Sequence, residues 1–151
     1  MTPCARFVMP ISADEAPDLL VDTSVAVPLT VADHEHHEQT FRALEGRRLG
    51  LAGHAAFETF SVLTRLPPPA RRTPAVVARV LHEGFPHTRF PSADGAAALL
   101  SRLGCDEIAG GSVYDALVGA AAVEHGLVLA TRDRRALDTY RKLDVEVQLL
   151  A

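Results

Sequence analysis

Four carboxylic acids stand at positions where a carboxylate is unusual, and they are the residues of this sequence that are best suited to catalysis or metal binding. Asp22 ends the apolar run "LLV", and Asp133 ends the stretch "LVLATRD". Asp115 lies in "GGSVYDALVGAAAVEHG", and Glu58 lies inside the strongly apolar "HAAFETFSVLTRL". Carboxylates that gather in one place bind divalent cations, and a site filled in this way attracts phosphate. Since no Ser/His/Asp set or Cys/His pair forms a recognisable nucleophile motif in the sequence, the acids are its densest catalytic resource.

Each acid also has a structural explanation. Asp22 and Asp133 precede segments that a carboxylate could cap at the first helical turn. Asp115 has the spacing of a capping box with Ser112. Glu58 either reaches solvent from the edge of an apolar stripe or lies partly buried with a cationic partner, such as a metal ion. A cap does not apply in the middle of a helix, so we favour a functional role for Glu58, and for the other acids both interpretations stay open.

Strand-like and helix-like segments alternate along the chain, and they must position the acids. Apolar runs predict strands at 19–21, 48–53, 127–133 and 145–150, with a weak strand near 87–90. Helical spacing and helix-ending residues predict helices at 37–47, 54–66, 73–85, 93–104, 112–126 and 134–143. Alternating strands and helices favour a parallel sheet with helices on both faces, which is an α/β fold.

The predicted sheet brings distant acids to one edge. Ligands of such sheets bind beyond the carboxyl ends of the strands, where Asp22 and Asp133 are both expected. In the helix of Asp115, Gly119 and Ala122 share the face of the acid, whereas Glu124 points to the opposite side. Small residues on that face let the helix pack closely on the sheet, so we expect Asp115 near the same edge.

Composition limits the class of protein. The 151 residues, 48% hydrophobic and 23% charged, suit a single compact domain, and no apolar run approaches the roughly 20 residues of a membrane span. A net charge of −4 argues against binding nucleic acid by bulk positive potential, but it does not exclude a nuclease. Cys4 and Cys105 predict no disulfide framework, which indicates the cytoplasm. Residues 1–18 do not have the pattern of an export signal, and we predict an N-terminal extension without an assigned role.

Taken together, the four acids and their sequence contexts resemble a known family. The segments "VDTSV", "FETFSVL", "YDALVGAAA" and "LATRD" are similar to those of PIN-domain ribonucleases, in particular the VapC toxins of bacterial toxin–antitoxin systems. The resemblance runs from about Leu19 to the C-terminus, so a single PIN-like domain is expected at 19–151. It implies a three-layer α/β/α fold with a short, mostly parallel sheet.

The resemblance also implies an activity, a cofactor and partners. Asp22, Glu58, Asp115 and Asp133 would bind Mg2+ or Mn2+, and the hydroxyls of Ser24 and Thr131 would support the site. We expect Asp22 and either Asp133 or Asp115 as direct ligands, and Glu58 as a ligand or as a residue that orients water. The expected reaction is endonucleolytic hydrolysis of RNA, for which divalent metals supply the nucleophile and charge stabilisation. The expected partners are a VapB-like antitoxin and a second copy of the chain in a homodimer.

Basic residues and histidines give further, weaker signals. Arg132, Arg134 and Arg135 surround Asp133 and could hold RNA phosphates, although most arginine pairs are simply solvated. The cluster "HEHHE" at 34–38 misses the zinc-protease pattern HExxH, so we interpret it as a solvated helix start, without excluding adventitious metal binding. Aromatic residues make up only 5% of the chain, and base stacking is therefore expected to be a minor contribution.

Two other classes of protein place acids at strand ends. A dehalogenase-type phosphatase needs a second Asp at position 24, which is Ser24, and a receiver domain needs a Lys nearer the last strand than Lys142. Both fit poorly. The remaining alternative is a PIN-like module that binds protein or RNA and is catalytically silent.

Overall fold

Four short strands form one parallel sheet at the centre of the fold. The computed structural model describes residues 19–151, so the predicted extension at 1–18 lies outside the described residues. The strands pair in the order β2-β1-β3-β4 and all neighbours are parallel. They are β1 (Leu19–Val21), β2 (Leu49–Leu51), β3 (Leu129–Thr131) and β4 (Val147–Leu149). The central pair β1 and β3 therefore delivers residues 22 and 132 onward to the same edge of the sheet.

Seven α-helices and one turn of 3-10 helix connect these strands in the described part of the chain. They are α1 (Thr23–Thr30), α2 (His37–Leu44), α3 (His54–Thr64), α4 (Pro74–Gly84), α5 (Ala93–Arg102), α6 (Ser112–Glu124), the 3-10 turn (Arg134–Ala136) and α7 (Leu137–Lys142). All six predicted helices are present. Helix α1 was not among them, because Pro28 lies inside it and proline is disfavoured in a helix interior. None of the described helices is long and apolar enough to cross a bilayer.

Helices cover both faces of the sheet, which confirms the three-layer α/β/α architecture. Leu19 and Val21 belong to a buried cluster that contains side chains of α1, α3 and α4. Leu20 points to the other face, where it belongs to a cluster with Val118 and Ala122 of α6. This alternation follows from the two-residue period of a strand, so three consecutive apolar residues fill two separate core layers.

The weak strand predicted near 87–90 is not a full strand in the structure. Only one bridge pairs Ala52 with Arg89, because the hydroxyl of Thr88 accepts the bond from the backbone N–H of Leu51 at 3.0 Å. A side chain thus replaces the backbone acceptor that a ladder would supply. The segment also passes so close to Gly50 that a Cβ there would lie 2.2 Å from the carbonyl oxygen of His87, a distance that only glycine permits.

Candidate active site

Asp22 lies at the exit of the central strand β1, in a place that explains its apolar context. It occupies the N-cap position of α1, and its backbone carbonyl accepts from the amide of Ala26 at 2.9 Å. Its carboxylate, however, makes no capping bond. The residue is only 5% exposed, so the helix-cap explanation accounts for the backbone of Asp22 but leaves its buried charge to be explained.

Three hydroxyl groups hold the carboxylate of Asp22. Ser24 donates to Oδ1 at 2.5 Å, and Thr131 and Tyr140 donate to Oδ2 at 2.5 and 3.0 Å. Burial raises the pKa of Asp22, whereas these three hydrogen bonds lower it and the negative charge of Asp133 raises it again. Burial and the adjacent Asp22 raise the pKa of the Tyr140 phenol, so Tyr140 keeps its proton and acts as a donor.

The same hydroxyls join the exits of strands β1 and β3. The backbone N–H of Asp133 donates to Thr131 Oγ1 at 3.0 Å, and that of Arg132 donates to Ser24 Oγ at 2.8 Å. Ser24 and Thr131, predicted to support the site, thus each connect the carboxylate of Asp22 to the backbone that follows β3. The loop that carries Asp133 is fixed relative to Asp22 by these bonds.

Asp133 itself is both a cap and a member of the acid group. Its side chain caps the 3-10 turn by accepting from the backbone N–H of Arg135 at 2.9 Å, and the Arg135 Nε lies 3.3 Å from the same oxygen. The capping explanation is therefore correct for Asp133. The Asp133 side chain is still 29% exposed, and both of its bonds to Arg135 use Oδ1, which leaves Oδ2 for a ligand.

Glu58 is exposed, so of the two alternatives it reaches solvent from the edge of the apolar stripe and is not partly buried. The buried residues of α3 are Ala55, Thr59 and Leu63, which form a stripe at four-residue spacing that leaves Glu58 beside it. The neighbouring Phe57 is 65% exposed, so the apolar composition of α3 does not mean that the helix is enclosed. Glu58 accepts a hydrogen bond from the hydroxyl of Thr23 at 2.8 Å, which holds it next to the start of α1.

Asp115 lies in the first turn of α6, facing the other three acids. The N-cap of α6 is Gly111 and no side chain caps the helix, so the capping box predicted with Ser112 does not form. The pKa of Asp115 is raised to about 6, first by burial and then by the negative charges of Asp133, Glu58 and Asp22. Three carboxylates act on a fourth, so the structure brings all four acids to one edge of the sheet.

The small residues of α6 have two different functions. Ala122 is buried among side chains of the sheet, as the sequence predicted. Gly119 instead faces α7, where an added Cβ would lie 3.3 Å from Tyr140 Cδ1 and 2.9 Å from Val145 Cγ2. The close packing at Gly119 therefore positions Tyr140, which in turn holds Asp22. Glu124 points away, as expected, and bonds the amide of Ser92 at 2.8 Å.

Burial of Asp115 and repulsion from the other three acids predict a measurable cost in stability. The pKa of Asp115 is about 6 when folded and 3.8 in the reference state, so the folded protein retains its proton between these values while the unfolded chain loses it. Its contribution to stability is complete below pH 3.8 and is lost as the pH rises through about 6. We expect Asp115→Asn to stabilise the metal-free protein at pH 7 by about 1–2 kcal/mol, a value reduced for solvent screening, and hardly at all at pH 4.

Urea unfolding in EDTA between pH 4 and 8 measures this difference. Asp138→Asn is the matched control, because Asp138 is an exposed acid that pairs with Lys142 in α7. A difference between Asp115→Asn and wild type that does not vary with pH would contradict the raised pKa of Asp115.

The donor set fits a hard divalent cation. Four carboxylates offer only oxygen ligands, and a cation would relieve the repulsion that raises the pKa of Asp115. Among residues 19–151, no three acid, His or Cys side chains already stand at ligand spacing. The carboxylates of Asp22, Glu58 and Asp133 instead accept hydrogen bonds from Ser24, Thr23 and Arg135 respectively.

Sequence reasoning missed two residues of this site. Tyr140 lies on the inner face of α7, and a buried tyrosine hydroxyl requires a partner, which was the available signal. Thr23 follows Asp22 directly, but its bond to Glu58 joins residues 35 positions apart and had no signal in the sequence.

The arginines predicted to contact RNA have different surroundings. Arg132 is half-buried, and its guanidinium donates to the hydroxyl of Thr40 at 3.2 Å. Arg134 is exposed, and the side chain of Arg135 is 93% exposed. Arg132 and Arg135 line a cleft beside Asp133, together with His34 and His36.

Comparison with known proteins agrees with this geometry. The PIN domain family model matches residues 19–142. Ribonuclease VapC27 of Mycobacterium tuberculosis (strain ATCC 25618 / H37Rv) is 48% identical over 135 residues, which cover 89% of this chain and 98% of the relative. Ribonuclease VapC40 of the same species is 44% identical over 131 residues, covering 85% and 96%.

Solved structures show the same fold at lower identity. Mycobacterium tuberculosis VapC20, described as a sarcin-ricin loop cleaving toxin, superposes with a TM-score of 0.63 at 20% identity and covers 79% of this chain and 92% of that one. FitAcB of Neisseria gonorrhoeae has a TM-score of 0.61 at 20% identity, covering 85% and 95%. The family match spans most of the chain, and the relatives align over nearly their whole length. This chain therefore belongs to the PIN-domain family and, within it, to the VapC ribonucleases.

Proposed function

We propose that the chain is an endoribonuclease toxin whose four acids hold Mg2+ or Mn2+ while it hydrolyses RNA phosphodiester bonds. The observation that carries this proposal is the convergence of Asp22, Glu58, Asp115 and Asp133 at one edge of the sheet, where burial and the three other acids raise the pKa of Asp115. Membership in the VapC ribonucleases supplies the reaction class. The catalytic unit is the PIN-like domain at 19–151.

The proposed role of each acid follows from its surroundings. A bound divalent cation supplies an activated water and stabilises charge on the scissile phosphate. Asp22 and Asp115 are the proposed direct ligands. Asp22 is fixed by hydroxyl groups, and the negative charge of Asp115 is destabilised by burial and by the other acids, so a cation would stabilise it. Asp133 offers its accessible oxygen as a further ligand. Glu58, exposed and movable from its bond to Thr23, is placed to orient water.

The hydroxyl groups of Thr131 and Ser24 fix the positions of the acids relative to one another. Thr131 is fully buried and bonds both Asp22 and the backbone of Asp133, so it fixes two acids relative to one another. Ser24 does the same for Asp22 and the backbone of Arg132. Such support from surrounding groups holds metal ligands within the narrow tolerance that catalysis requires.

The proposed partners follow from family and surface. A VapB-like antitoxin would neutralise the enzyme, as expected for a VapC protein. A homodimer would cover apolar surface such as Phe57, which is 65% exposed. The exposed free thiol of Cys105 is consistent with a cytoplasmic location.

Mapping of cut sites tests the proposed function. Purified protein is incubated with total RNA and Mn2+, and the new ends are sequenced. We expect internal cuts at a small number of positions. RNA that is bound but never cut would identify the catalytically silent binding module instead, and degradation from the ends alone would exclude an endonuclease.

A further inference from the structure

A basic cleft adjoins the acid group on one side. The cleft has a volume of about 330 Å3, and four of its nine lining residues are basic, whereas Asp133 is the only acid among them. The remaining lining residues include Thr23 and Ser24, whose hydroxyls bond Glu58 and Asp22. The cleft and the acid group are therefore adjacent, with Thr23 and Ser24 between them. The basic lining residues are His34, His36, Arg132 and Arg135.

The histidine cluster "HEHHE" takes part in this cleft and is more than a solvated helix start. His37 begins α2 and bonds the carbonyl of Pro28 at 2.7 Å, whereas His34 and His36 precede the helix. The His34 Nδ1 accepts from the backbone N–H of His36 at 3.1 Å, so the proton of a neutral His34 is on Nε2. Burial lowers the pKa of His34, and the charges of His36, Arg132 and His37 lower it further, whereas that of Glu35 raises it. His34 thus offers one neutral N–H donor.

The cleft fits an anion better than a second metal. Arg132 and Arg135 stand in its lining, and no three His, Cys, Asp or Glu side chains of residues 19–151 have ligand spacing. The bond to Thr40 fixes the position of Arg132, which reduces the entropy lost when its remaining N–H groups bind a ligand. Arginine forks and neutral imidazole donors are the groups that bind phosphate oxygens.

We propose that this cleft binds a backbone phosphate of single-stranded RNA next to the scissile phosphate, with His34, Arg132 and Arg135 as the contacting residues. The inference rests on the proposed ribonuclease function. Acids lie on one side and basic groups on the other, so the acid group faces the scissile phosphate while the cleft holds its neighbour on the side of His34. The cleft then supplies binding energy from a part of the substrate that does not react, which positions the bond to be cut.

Binding measured without cleavage tests the cleft independently of catalysis. The Asp115→Asn protein serves as parent, and fluorescence anisotropy follows a labelled single-stranded RNA in Mg2+ at several salt concentrations. We expect Arg132→Ala and Arg135→Ala to weaken binding several-fold and to reduce the slope of log affinity against log salt by about 0.7 each. His34→Asn keeps an acceptor for the His36 amide but loses the Nε2 donor, so it should weaken binding without changing the slope.

Matched control residues lie at the amino ends of the strands, away from the acids at the carboxyl ends. The amide of His87 bonds the carbonyl of Leu49 at the start of β2, and the carbonyl of Arg48 bonds the amide of Leu19 at the start of β1. His87→Ala and Arg48→Ala should therefore leave RNA affinity unchanged. Arg132→Lys retains the charge and so separates loss of charge from loss of the guanidinium contacts. Arg135 is exposed, so Arg135→Ala removes its ion pair with Asp133 but no buried packing.

The outcomes separate this inference from the proposed function. If wild type cuts RNA but the cleft variants bind like their parent, the inference about the cleft is overturned while the nuclease stands. If wild type never cuts RNA but binding still depends on His34 and Arg135, the nuclease proposal fails and the cleft remains. Equal competition by polyglutamate of the same charge would assign the cleft to acidic peptides and overturn its assignment to RNA.

Discussion

Replacement of Asp22 by asparagine is expected to lower RNA cleavage by roughly three orders of magnitude, or about 4 kcal/mol of transition-state stabilisation. Asparagine has the same shape, but it has no charge to hold a divalent cation, and one of its two polar atoms is a donor. In the wild type, the hydroxyls of Thr131 and Tyr140 donate to Oδ2 of Asp22. In the variant they can rotate and accept from the asparagine amide. The fold should therefore survive while the activity is lost. Initial rates on a defined RNA, with excess Mn2+, measure the effect.

Two variants of Thr131 test how much the hydroxyl that bonds Asp22 contributes to cleavage, apart from the charge of Asp22 itself. Thr131→Ser keeps the hydroxyl that bonds Asp22 and should retain most of the activity, whereas Thr131→Val removes it and should lower the rate by about tenfold. Far-ultraviolet circular dichroism and the unfolding midpoint establish that the Asp22→Asn protein is folded. Cleavage by a folded Asp22→Asn protein at the wild-type rate would remove Asp22 from the proposed metal site.

Removal of divalent metal by EDTA is expected to stop cleavage entirely, and addition of Mn2+ or Mg2+ should restore it. The physical reason is the acid group itself, since without a cation four carboxylates repel the phosphate that they must contact. The same cation should raise the unfolding midpoint, because it binds only the folded site, by RT ln(1 + [M]/Kd). Differential scanning fluorimetry across a metal titration gives this shift without any substrate.

The Asp115→Asn protein is the control for the metal titration. Its midpoint should start higher in EDTA, as argued above, and then rise less on addition of Mn2+. Cleavage that continues in EDTA after dialysis, or an equal metal-induced shift in Asp115→Asn, would contradict a carboxylate-held cation.

Local patterns in the sequence predicted the positions of the acids better than their surroundings. The strand exits at Asp22 and Asp133 followed from two short apolar runs, because parallel strands must share an edge. The three-layer fold followed from alternation in the same way. For Glu58 the sequence left exposure and partial burial open, because exposure depends on which residues of α3 face α1 and α4.

Contacts between distant residues remained hidden. The bond from Tyr140 to Asp22 spans 118 positions, and that from Arg132 to Thr40 spans 92. Neither residue type nor spacing identifies such a partner, because the pairing depends on how α7 and α2 dock at the ends of the sheet. The function of His34 was hidden for the same reason, since its cleft exists only after β3 has been placed beside β1.

The hydroxyl groups that hold Asp22 also determine when during its synthesis the enzyme can become active. Asp22 is near the start of the described chain, yet two of its three donors, Thr131 and Tyr140, come more than a hundred residues later. A nascent polypeptide that still lacks this last segment has no partner for β1 on that side and no support for its first acid. The site can therefore assemble only after Thr131 and Tyr140 have been synthesised and β3 has paired with β1.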